Sequence, residues 1–152
     1  GGISNKTSRL YRALVESELT VGMSGGAQAT IDPYLYSIVM VIHPEKSPAE
    51  ALAALDAEIA RVQDEKISEE EVTRAVKQAK ALFAYGSESI TNQGFWMGYT
   101  EMFADYEWFE NYLDNLAAVT PEDVQRVAKK YFQKKARVVG TYLPVNEENT
   151  NE

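Results

Sequence analysis

VTPEDVQRVAKKYF (Val119–Phe132), followed by QKKARVVGTYLP (Gln133–Pro144), is the stretch whose reading decides the fold. Thr120 is a strong helix N-cap, Pro121 suits the first helical position, and Asp123 stands where its carboxylate can reach back to the cap. Val119 and Val124 can close a hydrophobic staple. Val124, Val127, Ala128 and Tyr131 fall on one face at helical spacing. Lys129, Lys130 and Lys134 gather at the negative end of the helix dipole. The run Ala136–Leu143 is then β-prone, and Pro144 stops it. A capped amphipathic helix that delivers a strand predicts a helix packed on a sheet.

Upstream segments supply the rest. Ser4–Glu18 reads as a helix with Asn5, Thr7 or Ser8 as cap and Leu10, Ala13, Leu14 and Ser17 on one face. Leu19–Thr30 reads as a strand whose glycines suggest a bulge or a close backbone approach. Asp32-Pro33 makes a turn. Tyr34–His43 (YLYSIVMVIH) is the strongest strand, nearly apolar throughout and therefore expected near the centre of a sheet with both sides partly covered. The two runs are close enough to form an antiparallel hairpin.

Ser47-Pro48-Ala49-Glu50 is a capping box opening a helix with the stripe Leu52, Leu55, Ile59 and Val62. Ser68 with Glu71 repeats that logic, with Ile67 stapled to Val72 and a stripe running from Val72 to Phe83. Polar Gly86–Gln93 reads as a break, and Phe95–Asp105 and Trp108–Ala118 as two further helices joined near Asp105-Tyr106. Residues 1–145 therefore form one domain, and Asn146–Glu152 is expected to be a disordered tail. The fold class is α+β, an antiparallel or mixed sheet of at least three strands covered on one face by helices.

At 152 residues the chain can bury a real core, and 45% hydrophobic content excludes a disordered one. A net charge of −8 speaks against a nucleic-acid partner, because no basic stripe faces phosphates. The absence of cysteine excludes disulfides, thiol nucleophiles and Cys-ligated zinc. No apolar run reaches the roughly 18–20 residues that span a membrane, and no signal peptide opens the chain. Gly1-Gly2-Ile3 lacks an initiator Met, so the chain reads as a processed product or a piece of something longer.

The search for chemistry is informative by what it excludes. The single histidine, His43, cannot form H-E-x-x-H or H-x-x-E-H, and no G-x-S-x-G elbow accompanies it. It reads as a strand-end residue at the sheet rim. Glu69, Glu70 and Glu71 resemble a metal cluster, but a first helical turn explains them. Gly22–Gly26 lacks the lysine of a phosphate loop and does not open a helix. No catalytic residue and no metal ligand is assigned, and no substrate-binding residue is identified. Phe83–Tyr112 is dense in aromatics, with Phe95, Tyr99 and Phe103 on one face and Trp96 and Trp108 off it. Core and inter-helix packing accounts for most of them, and the tryptophans could meet a partner.

Three segments in order resemble the C-terminal, non-zinc domain of the M16 zinc metallopeptidases, the pitrilysin, insulinase and mitochondrial processing peptidase group. GISNKTSRLYRAL (Gly2–Leu14) is similar to a glycine-rich run leading into S-R-L-Y/F-x-x-L. Ile67–Ser89 resembles an I/V-S/T-x-E-E-L/V helix and the break after it. Val119–Phe132 resembles V/I-T-x-E-D-I/V with its closing tyrosine, followed by Arg137–Leu143 as a closing strand.

The resemblance, nearest to the smaller bacterial two-domain members, implies the LuxS/MPP-like metallohydrolase fold. It also implies first strands and a helix that would precede Gly1. The parent would pair an H-x-x-E-H domain or subunit with this one around a chamber for unfolded peptide, with zinc held by that partner and none here. Family members carry an Arg and, seven residues on, a Tyr that hold substrate. By position these fall on Val15 and Gly22, so neither is carried over.

Three functions follow. The first is a non-catalytic, chamber-forming and peptide-holding domain of a zinc metalloendopeptidase, inactive alone. The second is an inactive M16-like assembly domain, and the third a generic α+β protein-binding module using Trp96 and Trp108. Open strand edges would favour self-association or strand addition by extended peptide. The residues leave the compartment open; a bacterial periplasm or envelope location is the family-level expectation.

Overall fold

The computed structural model describes residues 5–28 and 30–144. Chain order is a short helix α1 (Arg9–Tyr11) running into a π-helical turn (Arg12–Glu16), strands β1 (Thr20–Ala27) and β2 (Tyr36–Ile42), then six helices. These are α2 (Pro48–Asp64), α3 (Glu69–Gly86), α4 (Ile90–Phe103), α5 (Tyr106–Glu110), α6 (Tyr112–Ala117) and α7 (Pro121–Tyr131). The architecture is α+β, as the patterning predicts. The predicted tail 146–152 lies outside the described residues.

The strands form the expected antiparallel hairpin, with Thr20 opposite Ile42 and Ala27 opposite Tyr36. Between Thr20 and Gly22 the register slips, so β1 spends two residues against one of β2. That bulge is the irregularity the glycine-bearing run suggests. Along β2, Ile38, Met40 and Ile42 are half-buried while Ser37, Val39 and Val41 are exposed. This period of two is the mark of a strand covered on one face only. The expectation of a central strand with both sides covered is therefore corrected.

Leu14, Met23 and Leu55 are the buried centre, surrounded by Leu10, Ala13, Leu19, Ile38, Met40, Leu52 and Ile59. The core thus lies between the π turn, the inner face of the hairpin and α2. The predicted helix Ser4–Glu18 shortens to residues 9–16, because Ser8 takes the cap and its hydroxyl accepts from Tyr11 N at 3.1 Å.

The capping boxes on α2 and α7 form as predicted. Ser47 and Glu50 exchange side-chain to backbone bonds, and so do Thr120 and Asp123. Three bonds then clip α7 to α2. Gln63 Nε2 donates to the carbonyl of Ala128 (3.1 Å), which also accepts from Phe132 N, and to that of Phe132 (2.8 Å), just past the helix end. Gln125 Nε2 donates to Gln63 O at 3.0 Å. Tyr131, placed on the apolar stripe by its spacing, is instead 61% exposed. Phe132 packs inward in its place, its ring edge-on to Tyr36 at 5.1 Å.

Two further expectations are corrected. Ala136–Leu143 is no strand: a 3-10 turn at Lys134–Ala136 is followed by chain that pairs with no strand among the described residues. A β-prone run needs a neighbour to accept its ladder bonds, and among the described residues β1 and β2 pair only with each other. Val138 and Tyr142 are consequently almost fully exposed. Arg137 and Lys134 instead anchor to Asp56 of α2, holding its carboxyl below the usual range, Arg137's hydrogen bond being the largest cause. The second correction concerns Glu71. Ser68 caps α3, its hydroxyl accepting from Glu71 N at 3.2 Å. The Glu71 carboxylate does not return to the cap. It takes a two-pronged bond from Arg9, Nε at 2.7 Å and Nη2 at 2.8 Å, tying α3 to α1.

Candidate functional site

The outward face of the hairpin is an exposed, partly apolar strand surface. Val39 and Val41 point away from the core and are 58% and 56% exposed. Across from them in β1 stand Ser24 and Gly22, which are small. A Cβ built on Gly22 would meet nothing within 4 Å. Val21, the extra residue of the bulge, is also more than half exposed. Each strand has one paired edge and one edge with no strand beside it among the described residues. Unpaired N–H and C=O groups along an edge are a template for another strand.

On the far side of β2 an apolar groove of about 530 Å³ runs between α2 and α7. Ile38, Ile59, Val62, Val124, Val127 and Phe132 line it. Val119 and Val124, the expected staple, both border it. Burial pushes the Tyr36 phenol at its edge upward.

The sequence-marked residues can now be placed. His43 follows β2, donates its N–H to Leu19 O at 3.1 Å, and accepts from Glu45 N on Nδ1 at 3.3 Å. It closes the strand end, as its position suggests. Of the glutamates Glu69–Glu71, one is spent on Arg9. Among the described residues no group of three His, Cys, Asp or Glu side chains gathers as a metal holder, and no helix is long and apolar enough to cross a membrane.

The aromatics form a continuous ladder. Phe95 stacks on Tyr99 at 5.6 Å, Tyr99 meets Phe103, Phe103 meets Trp108, and Trp108 meets Tyr112. Phe83 of α3 closes it against Phe109 and Tyr112 at 5.2 and 5.3 Å. Trp96 and Trp108 belong to this packing, with a little over a third of each still exposed. Val15 lies half-buried against the core, and Gly22 is half-buried in β1.

The model of the "Peptidase M16 inactive domain" matches residues 2–79, just over half of the chain. The chain belongs to the M16 peptidase family, as its inactive domain. Solved relatives of this M16 domain agree. A "putative zinc protease" from Bordetella pertussis Tohama I superposes with a TM-score of 0.79 at 26% identity, over 93% of this chain and 78% of that one. The "inactive peptidase domain of a putative zinc protease" from Bordetella parapertussis gives 0.80 at 25%, over 93% and 77%. A protease from Helicobacter pylori shares the fold, with a TM-score of 0.80 at 18% identity; the M16 domain covers 32% of that longer chain and is itself covered over 87%. No curated protein matches.

Sequence reasoning missed two groups of residues in the M16 domain. Gln63 and Gln125 join α2 to α7, and nothing in a lone glutamine marks it as a clip. Arg9, Arg12, Arg61 and Arg74 gather around one hollow. A count could have raised that suspicion, because four of only six arginines lie in the first half of an acidic chain.

Proposed function

We propose that this M16 domain is the non-catalytic wall of a peptidase chamber and holds extended peptide along its hairpin. The zinc and the water-activating glutamate belong in this reading to an H-x-x-E-H domain or subunit that it faces. The observation that carries it is the hairpin itself: two strands, each with an edge that is unpaired among the described residues, and an outward face of half-exposed valines beside Gly22 and Ser24. Backbone edges bind any extended sequence through main-chain bonds, and a valine face adds apolar contact without demanding a particular side chain. That suits a chamber that handles unfolded chain. The family match and the Bordetella parapertussis domain support the inactive assignment. The same edges would also let two copies associate.

The test is an NMR titration of the protein with a short extended apolar peptide. Expected are shifts of the β1 and β2 amides, lost in the Val39→Lys/Val41→Lys variant. Shifts confined to α4–α6, with the hairpin unmoved, would remove the peptide-holding role and favour a binding module that uses the tryptophans.

A further inference from the structure

A hollow of about 410 Å³ opens between α1, the π turn, α2 and α3, and none of its walls comes from the hairpin. Arg9, Arg12, Arg61 and Arg74 line it together with Glu58 and Glu71. Four guanidiniums against two carboxylates leave an excess of two positive charges, on a chain whose net charge is −8. The two carboxylates are already taken. Glu71 is gripped by Arg9, and Glu58, 8% exposed, pairs with Arg61 at 2.8 Å. Arg12 and Arg74 are exposed and carry no ion pair among the described residues.

We propose that this hollow binds an acidic peptide segment, with Arg12 and Arg74 receiving its carboxylates. Guanidinium is the group that recognises carboxylate with two parallel bonds, and the Arg9–Glu71 pair shows that geometry inside the hollow itself. Arg12 and Arg74 stand on different elements, the π turn and α3, with the Glu71 carboxylate within reach of the charge of both. A small tetrahedral anion is best held by donors that converge on one point. Carboxylates spaced along a chain are best held by donors set apart. The volume is more than ten times one water's share of about 30 Å³, which leaves room for side chains. The charge outside the hollow is net negative, so acidic chain is repelled at long range and capture depends on a local reversal of sign such as this one.

The experiment is fluorescence anisotropy of the protein with a labelled Gly/Ser peptide bearing glutamates at alternate positions, and with its twin bearing glutamines. The glutamate peptide is expected to bind at least about tenfold more tightly at low salt, a gap that narrows as salt rises. Arg12→Gln/Arg74→Gln closes the gap. Lys129→Gln/Lys130→Gln, which changes net charge equally on α7, preserves it. Thermal unfolding of both variants at the wild-type temperature shows that the fold is intact. Equal affinity for the two peptides, a gap that survives the arginine variant, or one that the lysine variant also erases would each overturn the proposal. So would inorganic phosphate displacing the glutamate peptide where chloride of the same ionic strength does not, since that marks a small-anion site.

Discussion

Breaking the Arg9–Glu71 pair tests how a three-residue helix is held in place. α1 is far too short to persist by itself, because the first helical turn is costly to nucleate. Its attachments are Leu10, packed against the core, the buried Leu14 just beyond it, and the fork to α3. Two unit charges at this range near a surface attract with about 4 kcal/mol before costs. Ordering the arginine side chain removes about 2 kcal/mol of that. The two side chains remain 39% and 27% exposed, so water screens part of the remainder.

A coupling of about 1.5 kcal/mol follows, above the roughly 0.2–1 kcal/mol of exposed pairs and below the 3–5 kcal/mol lost when buried ones break. The assay is a double-mutant cycle by urea unfolding with wild type, Arg9→Met, Glu71→Gln and the pair. The pH dependence has a definite sign. The hydrogen bond from Arg9, opposed by desolvation and helped by its charge, holds the Glu71 carboxyl below its ordinary 4.5. The coupling is therefore complete above about pH 4.5 and disappears as pH falls through the depressed folded value. Single losses that simply add at about pH 7, or a coupling undiminished at about pH 2, would refute the reasoning.

Thr20 is 2% exposed and its hydroxyl has no hydrogen-bond partner among the described residues. Thr20→Val keeps the shape, removes the stranded group and is expected to raise unfolding stability by about 1 kcal/mol; a loss in chemical denaturation would show that the hydroxyl is satisfied. Asp123, bonded by Arg126 and by Thr120, has its pKa pulled down to about 2. The cap of α7 should hold as pH falls through the carboxylate's ordinary 3.8 and weaken only near 2, and a carboxyl titration by NMR with a midpoint near 4 would contradict it.

What the residues alone determined about this protein is whatever depends on partners three or four positions away. Thr120 with Asp123 and Ser47 with Glu50 close their boxes because a helix start puts those atoms together wherever the helix later packs. The hairpin was legible because its two β-prone runs lie close along the chain with a turn signal between them, whereas the one-sided cover of β2 was not, its run being nearly apolar throughout. The M16 motifs were legible because they are themselves local spacings. Tertiary structure decided everything whose partner lies far along the chain. Glu71 had a cap close at hand and a guanidinium 62 residues away, and the charged donor took it. The run after Ala136 has the composition of a strand, yet a strand exists only beside a neighbour, and the described residues place none there. The gathering of four arginines from α1, the π turn, α2 and α3 is likewise a fact of packing: residues 9 and 12 are helical neighbours, but no spacing along the chain links them to 61 and 74.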